Sequence, residues 1–163
     1  MNVLLATQKP FAAKAVEGIS EILTAAGHSV TKLEKYPDQA ALVQAVAGAD
    51  ALIIRSDKVT AEVIAAAPSL KIVVRAGAGF DNVDLEAASA RGIVVINPPG
   101  QNSNAVAELA LGLMIYMART QFTPATGSEL QGKRLGVQAY GNVGRLVGQK
   151  AKALGMTIHA LDP

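Results

Sequence analysis

Arg134-Leu135-Gly136-Val137-Gln138-Ala139-Tyr140-Gly141-Asn142-Val143-Gly144 is the stretch whose reading decides the fold. Arg134 to Gln138 reads as a strand, and Asn142 to Leu154 as a helix stopped by Gly155. Thr157 to Leu161 reads as the next strand and ends against Asp162, about 20 residues past the glycine turn. A strand, a glycine turn, a helix, a strand and an acid in that order are the layout of a dinucleotide-binding unit. The bland alternative is a strand–helix turn with incidental glycines.

Each position has a physical reason. Gly141 has no Cβ, so a pyrophosphate can approach the backbone there. The free N–H groups near Asn142 and Val143 can bind its oxygens at the helix start. Gly144 lets helix and strand pack closely. Asp162 can accept hydrogen bonds from a ribose diol and would repel a 2′-phosphate, which favours NAD over NADP. Ala139 stands where a glycine is usual, and the expectation is a negative φ there.

Working back toward the N-terminus, Gln121 to Gly132 is polar and reads as a loop. Ala105 to Arg119 is an apolar helix, either core or subunit interface. Asn97-Pro98-Pro99-Gly100-Gln101-Asn102 is a turn-rich hinge. Before it, Val3–Leu5, Ser29–Leu33, Ala51–Ile54, Lys71–Val74 and Ile93–Ile96 read as strands. Phe11–Ala26, Gln39–Ala47, Ala61–Ala67 (N-capped by Thr60) and Asp84–Arg91 read as helices between them. Apolar strands separated by helices imply a parallel sheet covered on both faces. The expected class is α/β: a flavodoxin-like parallel-sheet domain over residues 1–98, then the first β-α-β of a Rossmann domain over residues 99–163.

Composition narrows the function classes. With 15 Lys+Arg against 13 Asp+Glu the net charge is +2, half of the residues are hydrophobic, and cysteine is absent. Disorder, a disulfide scaffold and a Cys-based zinc site are excluded. The sequence pI of 9.0 comes without a basic cluster, so nucleic acid is not expected as a partner. The longest apolar run, Ala105 to Ala118, is interrupted by Glu108 and is too short to span a membrane. The N-terminus lacks a signal-peptide pattern, so the expected location is cytoplasmic.

Two further segments follow directly after buried strands, where open α/β sheets bind ligands. Arg75-Ala76-Gly77-Ala78-Gly79 offers a cation and accessible backbone N–H groups to a carboxylate or phosphate, or is an ordinary glycine turn before a helix capped by Asn82 or Asp84. Arg55-Ser56-Asp57-Lys58 offers two more cations, or is a solvated loop. His28 and His159 have no acidic partner nearby in sequence and read as structural.

These residues resemble the D-2-hydroxyacid dehydrogenases. Val74 to Asp84 is similar to the substrate loop of that family, Asn97 to Glu108 to its hinge and helix start, and Gly127 to Gly136 to the lead-in to its nucleotide-binding strand. The Ala139–Gly144 variant occurs in its phosphoglycerate branch. The resemblance implies hydride transfer between NAD and a D-2-hydroxy acid, most of all 3-phosphoglycerate, in serine biosynthesis. Under it, Arg75 and the N–H groups of Ala76 and Gly77 would hold the substrate carboxylate, with Gly79 a further residue of the substrate-binding loop. Arg55, Ser56 and Lys58 would meet the phosphate end. Asn102 would lie near the nicotinamide. Gly141, Asn142, Val143 and Gly144 would cradle the pyrophosphate, and Asp162 the ribose. The helix from Asn102 would contribute to a homodimer.

The family's catalytic Arg, Glu and His lie downstream of the acid that Asp162 matches, beyond Pro163. The expectation is therefore a portion of such an enzyme, inactive by itself. The rival reading is an excised or engineered flavodoxin-like scaffold that folds or self-associates without catalysis. A phospho-receiver domain is disfavoured, because Thr7-Gln8-Lys9 stands where acidic residues are needed.

Overall fold

Four apolar runs and the alternating segment Ser29–Glu34 become one five-stranded parallel sheet, in the order Ser29–Glu34, Asn2–Thr7, Ala51–Ile54, Ile72–Arg75, Val94–Ile96. The computed structural model describes every residue, Met1 to Pro163, and the chain divides into two units, Met1–Pro99 and Gly100–Pro163. In the first unit the strands are β1 (Asn2–Thr7), β2 (Ser29–Glu34), β3 (Ala51–Ile54), β4 (Ile72–Arg75) and β5 (Val94–Ile96). The helices between them are α1 (Ala13–Ala25), α2 (Gln39–Val46), α3 (Ala61–Ala65) and α4 (Leu85–Ala90). This is the expected α/β architecture.

Successive side chains of a strand point to opposite faces, and the two faces bury different sets. Leu4, Ala6, Leu52, Ile54 and Val73 pack under Leu42, Val46, Val63, Ile64 and Ala88 of α2, α3 and α4. Val3, Leu5, Ala51 and Ile53 pack against Phe11, Ile19 and Leu23 on the α1 side. Each fully buried Leu or Ile contributes about 1.5–3 kcal/mol relative to exposure. Side-chain caps set three helix starts. Asp38 accepts from the N–H of Ala41 at 3.0 Å, Thr60 from Val63 at 3.5 Å and Asp84 from Ala87 at 2.9 Å. Thr60 thus caps as expected, and Asp84 rather than Asn82 caps α4.

One boundary matters for the site. The fourth strand was expected over Lys71–Val74, but it runs over Ile72–Arg75, with Arg75 in register with Ile54 of β3. Arg75 is therefore fixed by sheet pairing. The chain runs from β1 to β2 on one side and then to β3 on the other. The direction of winding thus reverses at β1/β3, the position where open sheets form a crevice at the strands' carboxyl ends.

The second unit holds α5 (Ser103–Ala118), β6 (Arg134–Gln138), α6 (Asn142–Ala153) and β7 (Thr157–Leu161). The two strands are parallel, Arg134 opposite Thr157 through Gln138 opposite Leu161. Its core joins Ala107 and Leu111 of α5 to Val147 and Ala151 of α6 and to Met156. After α5 the chain makes a left-handed turn, with φ of 54°, 57° and 58° at Thr120, Gln121 and Phe122. No helix is long and apolar enough to cross a membrane.

Candidate functional site

In the first unit the loops after β1, β3 and β4 form one hydrogen-bonded group. Arg75 leaves the end of β4 and folds back over Gly77. A Cβ on Gly77 would overlap the guanidinium and lie 2.6 Å from its Cζ. The Arg75 Nε–H donates to the carbonyl of Arg55 at 2.9 Å. Its two Nη groups have no acceptor in the chain, so they remain available to an anion.

Of the N–H groups the sequence suggested, that of Gly79 stays free, whereas those of Ala76 and Gly77 do not. Ala76 N–H donates to the Ile54 carbonyl at 2.7 Å, and Gly77 N–H to the Arg75 carbonyl at 2.8 Å. Sheet pairing extends one residue past β4, and Gly77 then closes a three-residue turn, so both donors are consumed. The N–H groups of Ala78 and Gly79 carry no such bond. Asn97 fixes this loop from below, its amide donating to the Ala78 carbonyl at 2.6 Å.

The Arg55–Lys58 segment sorts its charges by depth. Arg55, Ser56 and Lys58 are exposed, whereas Asp57 is only 6% exposed. One Asp57 oxygen accepts from the Tyr36 hydroxyl at 2.5 Å and from the Gln8 N–H at 2.7 Å. The other accepts from the Arg55 N–H at 3.4 Å. Neither Arg55 nor Lys58 pairs with a carboxylate, since the single ion pair of the chain joins Lys150 to Glu108. Burial first, and then the Asp57 hydrogen bond and charge, raise the Tyr36 phenol far above its ordinary range, so it remains a donor. Asn82 completes the group by donating to the carbonyls of Asp57 at 2.7 Å and Arg55 at 3.4 Å, while its own buried Oδ1 has no partner.

Sequence reading missed Tyr36, Asp57, Asn82 and Asn97. The one available signal was position: Tyr36 and Asp57 both fall just past the carboxyl end of a strand. No group of three or more His, Cys, Asp or Glu side chains converges as a metal site.

In the second unit the Ala139–Gly144 turn leads into α6. Ala139 N–H donates to the Leu161 carbonyl at 2.7 Å, which extends the β6–β7 ladder. The chain must then reverse within a residue, and Ala139 adopts φ of +69°, not the negative value expected of an alanine. Gly144 lies against that turn: a Cβ there would overlap the Ala139 carbonyl oxygen and stand 3.2 Å from Val137 Cγ1. Nothing lies within 4 Å of the position a Cβ on Gly141 would take. The N–H groups of Asn142 and Val143 have no acceptor and border a groove of about 450 Å³ lined by Met114, Val137 and the turn itself. Arg145, also missed, adds a cation on the first turn of α6, with its Nε 3.4 Å from the Gly141 carbonyl. Asp162 is exposed just past β7, and Asn102 is exposed before α5 with no side-chain capping bond.

The model of the D-isomer specific 2-hydroxyacid dehydrogenase catalytic domain matches residues 5–160. The chain belongs to that family. It is 44% identical to the D-3-phosphoglycerate dehydrogenase of Mycobacterium tuberculosis over 141 residues, 78% of this chain and 27% of that protein. It is 43% identical to the hydroxypyruvate reductase of Thermotoga maritima over 137 residues, 75% of this chain and 44% of that one. Among solved structures, NAD+-bound 3-phosphoglycerate dehydrogenase from Entamoeba histolytica matches with a TM-score of 0.94 and 47% identity, covering all of this chain and 54% of that one. The chain thus spans between about a quarter and a half of the length of these relatives.

Proposed function

We propose that the chain supplies the substrate-binding domain and the first nucleotide-binding unit of an NAD-dependent dehydrogenase acting on a phosphorylated D-2-hydroxy acid, with 3-phosphoglycerate as the first candidate. The carrying observation is the Ala139–Gly144 turn. Its unengaged Asn142 and Val143 N–H groups border open space above Gly141, while Gly144 is pressed onto the Ala139 carbonyl. That combination fits a pyrophosphate at a helix N-terminus.

NAD, when bound, exchanges a hydride with the carbon that carries the substrate hydroxyl. The residues of this chain bind and orient. Asn142 and Val143 would hold the pyrophosphate, Asp162 the ribose diol, and Asn102 the nicotinamide side. The Nη groups of Arg75 and the free N–H groups of Ala78 and Gly79 would hold the substrate carboxylate, with Arg55, Ser56 and Lys58 at its phosphate. None of the chain's residues matches the family's Arg, Glu and His trio, so the chain by itself is expected to bind without turnover. General acid–base terms of that kind are worth about 10²–10⁴-fold.

Calorimetric titration with NAD tests the reading. NAD should bind, and Asp162→Asn should weaken NAD while narrowing its advantage over NADP. Failure to bind NAD at millimolar concentration would remove the cofactor assignment, and NADH formation at ordinary enzyme rates would contradict the expected inactivity. Self-association through α5 belongs to the same proposal: Leu109 and Met117 are each 63% exposed, which suits a partner helix. Light scattering reads it directly.

A further inference from the structure

We propose that Tyr36 and Asp57 form a buried lock that positions the Arg55–Lys58 loop, and that this lock, not the loop's cations alone, sets the preference for phosphorylated over unphosphorylated hydroxy acids. The inference rests on the substrate reading above. It assigns a positioning role to two residues that touch no ligand under that reading.

The segment Arg-Ser-Asp-Lys carries a net charge of only +1 as a string, because two cations flank one acid. Had all three side chains faced solvent, Asp57 would have competed with any anion for Arg55 and Lys58. Instead the carboxylate is turned inward onto the Tyr36 hydroxyl and the Gln8 and Arg55 N–H groups. It takes its hydrogen bonds from backbone and phenol and none from a cation. The outer face of the loop is left with two unpaired cations next to the half-buried Arg75. The carboxylate also joins the ends of three strands: Gln8 follows β1, Tyr36 follows β2 and Arg55 follows β3. Buried acids without cationic partners persist only when hydrogen bonds satisfy them, so the loop cannot turn Asp57 outward without leaving the Gln8 and Arg55 donors open.

The lock acts on one end of the substrate. Arg75 is held by its pairing with Ile54 and by the Ala76 N–H bond to the Ile54 carbonyl. Both contacts are made to Ile54 within β3 and involve neither lock residue, so they survive if the lock opens; the one tie of the guanidinium to the loop is its Nε–H bond to the Arg55 carbonyl. The carboxylate end of a ligand therefore keeps its strand-anchored contacts and loses at most the Nε tether of Arg75, while the phosphate end loses a fixed pair of cations.

The test is an NMR titration of the chain with 3-phosphoglycerate and with D-glycerate, which lacks the phosphate. Tyr36→Phe removes only the hydroxyl, and Asp57→Asn removes the charge at nearly constant shape. In both variants 3-phosphoglycerate should bind roughly tenfold more weakly, the scale of one lost hydrogen bond, with a much smaller loss for D-glycerate. Hydrogen exchange at the Gln8 and Arg55 amides should quicken in Tyr36→Phe without any ligand. Equal losses for both ligands would show a merely structural role and overturn the proposal, as would no loss for either, or unchanged exchange at both amides. If the unaltered chain binds neither acid, the substrate reading fails and the inference falls with it. If the unaltered chain binds both and the variants do not discriminate, only the inference fails. Should Asp57→Asn not fold, Tyr36→Phe decides alone.

Discussion

Gly144→Ala is the most informative change in the nucleotide turn. The added Cβ would overlap the Ala139 carbonyl oxygen and stand 3.2 Å from both Ala139 C and Val137 Cγ1. Comfortable contact is about 3.5 Å, and the obstructing atoms include backbone that is already held by the Ala139 N–H bond to Leu161. Overpacking of this kind costs about 1–3 kcal/mol. Here the upper end applies, because a peptide group must move and a side-chain tip could not relieve the contact. Alanine regains about 1 kcal/mol of helix propensity, so the net loss is about 2 kcal/mol. For a unit of this size each kcal/mol corresponds to roughly 4–8 °C, which places the fall at about 8–16 °C. Thermal melting followed through the amide resonances of Val137 and Val147 reads it. Gly112→Ala in α5 is the control, since nothing lies within 4 Å of its added methyl, and it should raise stability by up to about 1 kcal/mol. A Gly144→Ala protein that melts at or above the parent, with the control behaving as stated, would refute the claim that the turn is packed backbone to backbone.

Three other outcomes are expected. Ala139→Gly should raise the urea midpoint. It relieves an alanine at φ +69°, worth about 1–2 kcal/mol, against about 0.4–1 kcal/mol of added freedom in the unfolded chain; a lower midpoint contradicts the left-handed assignment. Gly77→Ala should displace the Arg75 guanidinium and weaken 3-phosphoglycerate binding about tenfold, with little change in melting because the obstacle is a flexible side-chain end. The Tyr36 phenol is raised by folding, so its contribution is fully present below its unfolded value near 10. It is lost as pH rises through the folded value. Unfolding at pH 9 and 11 should therefore show a steeper alkaline loss in the parent than in Tyr36→Phe, by at most about 1.4 kcal/mol per pH unit.

The sheet was legible because its signals are local. The β3 run Ala51–Ile54 is apolar at every position and the Thr60 cap lies next to its helix, so periodicity and neighbouring residues suffice. The site was legible only in outline. Arg75 and Gly79 stood out as strand-end residues, but consumption of the Ala76 and Gly77 N–H groups depends on pairing with β3, which local sequence does not encode. Asp57 looked like one charge among three. Its burial comes from Tyr36, 21 positions away, and Gln8, 49 positions away. The φ of Ala139 was missed for a like reason: its conformation is imposed by a hydrogen bond to Leu161 in the neighbouring strand.

The register of Arg75 opposite Ile54 has a consequence for how this loop can change length. A strand that slips by one residue turns every side chain to the opposite face. A single insertion or deletion between Ile72 and Arg75 would therefore send the guanidinium to the wrong side of the sheet and exchange the residues that pack into its two cores. Insertions past Ala78, beyond the last sheet bond, leave the cation where it is. New specificities can be grafted by lengthening the loop only from that point onward, while the anchor and the core beneath it must be inherited together.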